Sequence, residues 1–378
     1  MVLSLKKTVL FLCLFALLAG TAVPVRAETA EIAAKAAIVM EPYTGTVLYE
    51  KDADAELLVA STTKIMTAMV VLENCGLSEQ VTVLREHAEV EGSTMYLRAG
   101  ETYTVEELLY GLMLASGNDA AAALADHCAG SMEAFAEKMN AKCAALGLEH
   151  THFANAHGLD APGHYSSARD LAKITAAAME NAKFCEIFST VSYSTHGNTF
   201  VNHNKLLERC EGCIGGKTGY TSAAGRILVS VVERGGMRLI CVTISDPDDW
   251  DDHEALYDAC FAAWRFISPL SQDWQQLETI SGTKEYVHLR CGERGFVVPA
   301  SAKVRLRARL PRFVFAPVLA GDLAGTVEVW VEGDLDHTVE VWYGETVGAD
   351  RTIALSAWER FKRLWSLSGG TGVYYFAG

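Results

Sequence analysis

Ser61-Thr62-Thr63-Lys64-Ile65-Met66-Thr67-Ala68-Met69-Val70-Val71-Leu72-Glu73-Asn74 reads as an apolar helix that opens on a serine and stops at Gly76. What flanks this helix decides the fold. Upstream, Ala37–Met40 and Thr46–Glu50 read as two strands around the turn Pro42–Gly45. Downstream, Thr104 and Glu107 form a capping-box pattern that opens a helix to about Ala115. Ser116-Gly117-Asn118 interrupts it, and Asp119 is expected to cap a helix from Ala120 to about Ala129. Further helices are expected over Ser131–Leu146 and Asp170–Asn181, with His150–Ser167 as loop. Ile227–Val232 and Leu239–Ile244 are then apolar runs of strand length joined through Gly235-Gly236, a hairpin signature. A helix over Asp251–Phe266 is expected to close the region. Helices enclosed between early and late strands predict an α/β (α+β) domain over residues 28–268.

After Pro269 the pattern alternates with few helix signals: Tyr286–Leu289, Val304–Leu310, Val327–Val331 and Val339–Tyr343. These predict a second, small all-β domain, a β-sandwich over residues 275–350. Leu355, Trp358, Phe361, Leu364, Trp365 and Leu367 recur mostly at three- and four-residue steps, with Glu359, Arg360, Lys362 and Arg363 opposite. The stretch 354–367 therefore reads as an amphipathic membrane-anchor helix, with a helix docked on its own domain as the other possibility.

At the other end, Lys6 and Lys7 precede an apolar run from Thr8 to Gly20, with Val25 and Ala27 at the −3 and −1 places of a small-residue exit. This reads as a secretory signal over residues 1–27; the run is shorter than the roughly 20 residues a span needs. Of the 378 residues half are hydrophobic and 21% charged, which excludes a disordered chain. Removing Lys6, Lys7 and Arg26, with no acid among residues 1–27, takes the formal charge from −15 to −18. Such acidity argues against nucleic acid as a partner. Cys13 leaves too, and nine remaining cysteines are an odd number for an exported chain, which points to a reducing habitat.

Three short motifs carry chemistry. In Ser61-Thr62-Thr63-Lys64, a three-residue step puts Lys64 on the face of Ser61, where a lysine of depressed pKa can act as base for a serine nucleophile. Alone the pattern is weak, since Ser4…Lys7 and Ser281…Lys284 match it equally; Ser61 could be a plain N-cap and Lys64 a solvated side chain. Ser116-Gly117-Asn118 offers a hydroxyl to relay a proton and an amide for a peptide carbonyl, or only a turn. In Lys217-Thr218-Gly219, a strand glycine permits close ligand approach and the lysine and threonine can bind a carboxylate.

Together, in this order, the motifs define the penicillin-binding protein and serine β-lactamase superfamily. Their spacing and flanks, including His157-Gly158-Leu159-Asp160-Ala161-Pro162-Gly163 and Lys217-Thr218-Gly219-Tyr220-Thr221, resemble low-molecular-mass D-alanyl-D-alanine carboxypeptidases of the peptidase S11 family. The resemblance covers about residues 30–365 and implies a β-lactamase/transpeptidase-like catalytic domain. It implies Ser61 as acyl-ester nucleophile, Lys64 as general base, Ser116 as proton relay and Asn118 as its catalytic neighbour. It further implies Lys217, Thr218, Gly219 and Tyr220 as substrate-binding, with the oxyanion between the N–H groups of Ser61 and Tyr220.

The implied partners are peptidoglycan muropeptides ending in D-Ala-D-Ala, β-lactam inhibitors and, through the terminal helix, the membrane surface. No cofactor and no metal are implied, and the expected location is the extracytoplasmic face of the bacterial membrane, or secreted. Family members often carry Asn-Arg-Asn before Lys-Thr-Gly, where this chain has Asn202-His203-Asn204, and a second arginine place is lost in the acidic run Asp246–His253. His203 and His253 thus become candidates for the terminal carboxylate.

Other readings carry less. The acidic run lacks the glycine and spacing of a calcium loop and reads as a solvated or substrate-repelling face. His150, His152, His157 and His164 lack the companion motifs of a zinc site. Cys210 and Cys213 read as a local disulfide or two free thiols. A serine β-lactamase is the rival within the superfamily, but its Glu-x-x-Leu-Asn segment is missing. A non-catalytic β-lactam-sensing wall-binding protein is the rival outside catalysis, and it would have lost Ser61, Lys64 or Lys217.

Overall fold

The computed structural model describes residues 31–270, 274–292, 294–350, 358 and 372–377. Five strands form the central antiparallel sheet: β1 (Ala36–Met40), β2 (Val47–Lys51), β3 (Cys213–Thr221), β4 (Gly225–Arg234) and β5 (Met237–Ile244). Their spatial order is β2-β1-β5-β4-β3, so the chain's first strand pairs with a strand some 200 residues later and β3 lies at an edge. Ile227, Val229, Val231, Ile240, Val242 and Ile244 bury on one face of the sheet, while Leu228, Val232, Leu239 and Cys241 bury on the other. Burial on both faces is why these strands read as continuous apolar runs.

The first face carries the helical layer: α1 (Lys64–Asn74), α2 (Val105–Leu114), α3 (Asn118–Ala129), α4 (Met132–Ala145), α5 (Ala168–Ala178) and α6 (Ala182–Ser189). Local chemistry sets their ends. Thr104 and Glu107 make the expected capping box on α2, Ser131 and Ser167 cap α4 and α5, and Gly130 ends α3 in a left-handed turn. The opposite face is covered by α7 (Asp249–Ala263).

Several expected boundaries move. Ser61 lies not in a helix but in a 3₁₀ turn over Ala60–Thr63, and α1 begins at Lys64. The helix α3 begins at Asn118, and Asp119 does not cap it. The closing helix stops at Ala263, because Trp264–Ile267 (β6) turns extended and pairs with Phe296–Pro299. The helix α6 and a small hairpin, Ser192–Thr195 with Asn198–Val201, were not legible as periodic runs.

The sheet-rich second part adds β7 (Gln276–Ile280), β8 (Tyr286–Cys291), β9 (Phe296–Pro299), β10 (Val304–Leu310), β11 (Phe313–Phe315), β12 (Leu323–Val331), β13 (Asp334–Tyr343) and β14 (Gly372–Ala377). Seven of them follow one hydrogen-bonded order, β11-β7-β8-β13-β12-β10-β14, and Leu277, Val287, Ala308, Val314, Val327 and Val341 meet in one core. The strand β14 pairs antiparallel with β10, an element the sequence reading missed. The expected helix 354–367 lies outside the described residues except Trp358, which is helical and exposed, and the expected signal 1–27 lies outside them entirely. Among the described residues no helix is long and apolar enough to cross a membrane.

Candidate active site

Ser61 follows a residue in left-handed conformation: Ala60 has φ +44°. A non-glycine residue rarely takes that geometry unless its surroundings enforce it. Here Gly158 (φ +89°) packs so tightly that a Cβ on it would lie 1.9 Å from the Ala60 carbonyl oxygen. On the other side a Cβ on Gly219 would lie 3.2 Å from the Ser61 nitrogen and from the Val59 oxygen. The turn bearing Ser61 is therefore pressed between a loop glycine and the edge strand β3. Ser61 makes no N-cap hydrogen bond, which removes the bland reading of this residue.

Lys64 is fully buried, and its Nζ has three oxygen neighbours: Ser61 Oγ at 2.9 Å, Asn118 Oδ1 at 2.7 Å and the His157 carbonyl at 2.6 Å. Asn118 is fixed with its oxygen toward Lys64 because its Nδ2 donates to the Glu91 carbonyl at 2.7 Å. Desolvation first, and the Lys217 charge second, hold the Lys64 pKa well below the usual lysine value. A neutral amine has two N–H donors and one lone pair. Asn118 Oδ1 and the His157 carbonyl can only accept, so they take both donors, and the lone pair is left for the Ser61 hydroxyl proton.

A second lysine–serine pair faces the first. Lys217 is 1% exposed, and its Nζ donates to Ser116 Oγ at 3.0 Å and to the Thr218 carbonyl at 2.9 Å. Burial lowers its pKa to about 7. Ser116 also has left-handed backbone, φ +59°, at the α2–α3 junction. Both serines of the motifs thus sit in or just after a strained residue, as positions with a defined chemical task often do.

Residues that the sequence reading did not place in the catalytic or binding set hold this arrangement. Asp119 accepts from the Met95 and Leu97 backbone N–H groups and from Thr94 Oγ1, which ties the 94–97 segment to the start of α3. His164 accepts from the Ala154 N–H at Nδ1, so its Nε2 carries the proton and donates to Thr63 Oγ1 at 2.8 Å. Burial lowers its pKa to about 4, so the imidazole is neutral. Thr67 Oγ1 donates to the Ala156 carbonyl at 2.7 Å, and Thr221 Oγ1 donates to Asp160 at 3.0 Å. The 150–167 loop is thereby fastened to α1 and to β3. Gly158, Asp160 and Asp119 stood in recognisable local segments, but the partners each one meets are distant in sequence and invisible to periodicity.

The predicted residues gather as follows. Ser61, Lys64 and Asn118 form one hydrogen-bonded group and Ser116 and Lys217 a second, close enough that the Lys217 charge acts on Lys64, with Thr218 and Gly219 on the adjoining strand and Tyr220 exposed at 67%. His203 is exposed near this cluster; desolvation, and then the Lys217 charge, lower its pKa. His253 is not there. It is fully buried under the far face of the sheet, between Ser230 Oγ at 2.7 Å and Thr243 Oγ1 at 3.1 Å, with a pKa lowered to about 3 by burial. The acidic run is solvated only in part. Asp248 and Asp251 are exposed, while Asp246 and Asp249 are buried, and Asp249 pairs with Arg226 at 2.6 Å. Cys210 and Cys213 carry free thiols.

Comparison with known proteins agrees with this geometry. Residues 23–248 match the family described as D-alanyl-D-alanine carboxypeptidase, peptidase S11. The chain is 32% identical to the D-alanyl-D-alanine carboxypeptidase DacF of Bacillus subtilis over 79% of its own length and 82% of that protein's. It is 34% identical to DacC of Escherichia coli over 80% of its length and 81% of that protein's. Among solved structures, penicillin-binding protein 5 of Haemophilus influenzae superposes with a TM-score of 0.65 at 28% identity, over 85% of this chain and 99% of that one.

Proposed function

This chain belongs to the peptidase S11 family of D-alanyl-D-alanine carboxypeptidases, and from that premise we propose how its cleft carries out the reaction. The protein is a serine-type D-alanyl-D-alanine carboxypeptidase acting on peptidoglycan stems that end in D-Ala-D-Ala, in a fold that suits β-lactam binding. The observation that carries the mechanism is the buried Lys64 Nζ, held by Asn118 Oδ1 and the His157 carbonyl at hydrogen-bond distance from Ser61 Oγ.

In this mechanism the Ser61 hydroxyl passes its proton to Lys64 as its oxygen bonds to the carbonyl carbon between the two D-alanines. The resulting oxyanion is received by the N–H groups of Ser61 and Tyr220, which the missing Gly219 side chain allows to approach. As the tetrahedral centre collapses, the C–N bond breaks and the D-alanine nitrogen takes the Ser116 hydroxyl proton, which Ser116, held by Lys217 at 3.0 Å, regains from the Lys64 ammonium, so that Lys64 is neutral again. Water then attacks the ester as Lys64 takes its proton, and that proton passes to the Ser61 oxygen as the ester C–O bond breaks. Thr218, Lys217 and His203 surround the terminal carboxylate, with His203 where relatives often carry arginine. Asn118 orients both Lys64 and the stem carbonyl.

The wider reading assigns residues 1–27 to a removed signal, 28–268 to the catalytic domain, 275–350 to a small β-sandwich domain and 354–367 to a membrane-anchoring helix, with the cleft outside the cytoplasm. The core shared by β7, β8 and β10–β13 supports a separate second domain, and the exposed helical Trp358 supports the anchor.

Fluorescent penicillin labelling with mass spectrometry of the adduct tests the mechanism. Label on Ser61, lost together with D-alanine release in Ser61→Ala, is the expected result; D-alanine release that survives Ser61→Ala refutes it. For the anchor, paired Trp358→Glu and Trp365→Glu substitutions should free the protein from vesicles while leaving β14 in place. Unchanged vesicle binding would refute that part.

A further inference from the structure

The helices α1 and α3 start at the catalytic cleft with Lys64 and Asn118, and they end side by side on the far side of the layer. At those far ends Cys75, Glu79 and His127 place a thiol, a carboxylate oxygen and a ring nitrogen all within 4.8 Å of one another. The Cys128 thiol lies against that of Cys75, outside the three-residue group but within reach of it as a fourth donor. We propose that Cys75, Glu79, His127 and Cys128 form a structural site for a thiophilic divalent cation of the zinc class that takes no part in the chemical steps.

Three observations carry this. The donor set is one that zinc accepts, two sulfurs with one imidazole and one carboxylate. The spacing is near what the ion needs: bonds of about 2.0–2.3 Å in a tetrahedron separate ligands by about 3.3–3.8 Å, so the Glu79–His127 pair would open from 2.8 Å while Cys75 already lies within 4.8 Å of both. Finally, the carboxylate is already aimed. Glu79 Oε1 accepts the Gly76 N–H at 2.6 Å, which turns Oε2 to His127 Nε2 at 2.8 Å. Outer contacts that orient a ligand in this way are characteristic of metal sites.

A disulfide between Cys75 and Cys128 would use only half of this set. It would leave the Glu79–His127 pair beside it as an ion pair only. A bound cation uses all four groups and ties two chain segments some 50 residues apart. Because α1 and α3 have 11 and 12 residues, the ion would sit about 16–18 Å from the reacting atoms. From there it would fix the angle between the two helices that position Lys64 and Asn118.

The test is a Co(II) titration of the reduced, signal-free chain under anaerobic conditions. One equivalent should produce thiolate-to-cobalt charge-transfer absorption and tetrahedral d–d bands, both removed by Zn(II). Cys75→Ser and His127→Ala should each weaken Co(II) binding by more than about 100-fold, beyond what loss of an outer-shell partner costs, while Ser61→Ala binds as wild type. Penicillin labelling of Ser61 in the two variants reports that they fold, and the wild-type spectrum decides the matter if they do not. No thiolate band at one equivalent, full bands in both folded variants, or a Cys75–Cys128 disulfide in the protein as isolated would each overturn the proposal.

Discussion

Gly158 and Gly163 lie in the same loop with nearly the same backbone, φ +89° and +76°, and replacing each by alanine separates two costs. Both substitutions force a side chain into the left-handed region, at roughly 1–2 kcal/mol. At Gly163 the new Cβ has its nearest neighbour at 3.7 Å, an ordinary contact with the His152 ring, so nothing more is added. At Gly158 the Cβ would lie 1.9 Å from the Ala60 oxygen and 2.4 Å from its carbon. To reach a normal contact, backbone must move by more than 1 Å, and the backbone in question immediately precedes Ser61. Overpacking of this kind adds about 1–3 kcal/mol, and a displacement near 1 Å at a reacting group costs about 100-fold in rate. The expected result is that Gly163→Ala loses about 1–2 kcal/mol and acylates as wild type, whereas Gly158→Ala loses about 2–5 kcal/mol and acylates about 100-fold more slowly. Urea denaturation and the second-order rate of fluorescent penicillin labelling measure the two quantities. Gly158→Ala matching Gly163→Ala in both would refute the claim that this loop clamps the nucleophile's turn.

Three further outcomes are expected. The Lys217 pKa of about 7 lies below its unfolded value, so the native state binds fewer protons than the unfolded chain between roughly pH 7 and 10.5, and native stability rises with pH across that window. Lys217→Met should therefore be more stable than wild type at pH 7, with the advantage shrinking toward pH 10; a pH-independent difference in urea midpoints would contradict this. His203→Arg should lower KM for a D-Ala-D-Ala peptide several-fold with kcat little changed, and an unaltered KM would remove His203 from the carboxylate site. His164→Leu leaves Thr63 Oγ1 and the Ala154 N–H without their buried partner and should cost about 1–3 kcal/mol; a thermal midpoint equal to wild type would show that the loop is held otherwise.

What could be read in the sequence was local. The serine and lysine of each motif are close in the chain or fixed by recognisable flanks, and the capping box at Thr104 and the Gly235-Gly236 hairpin are short-range signals. What escaped depends on distant partners. His164 serves a threonine 101 residues away, and Asp119 reads as a helix cap until the 94–97 backbone is seen folded onto it. The error at His253 has the same origin. Composition made Asp246–His253 look solvated, but the run opens a helix whose inward face carries His253 between two β-strand hydroxyls. The strand β14 was missed because its partner β10 lies more than 60 residues earlier.

The edge position of β3 governs what the cleft can discriminate. One side of this strand is paired with β4, while the other carries backbone donors and acceptors beside Ser61 with no strand among the described residues against them. An extended peptide laid there would be gripped by its main chain, in the manner of an added strand. Such a grip reads chain direction and the handedness of the residue at the break more than the identity of side chains further along the stem. It also gives the enzyme reason to keep that edge flanked by the Ser61 turn and the 150–167 loop: an open edge that recruits substrate would otherwise recruit other chains as well.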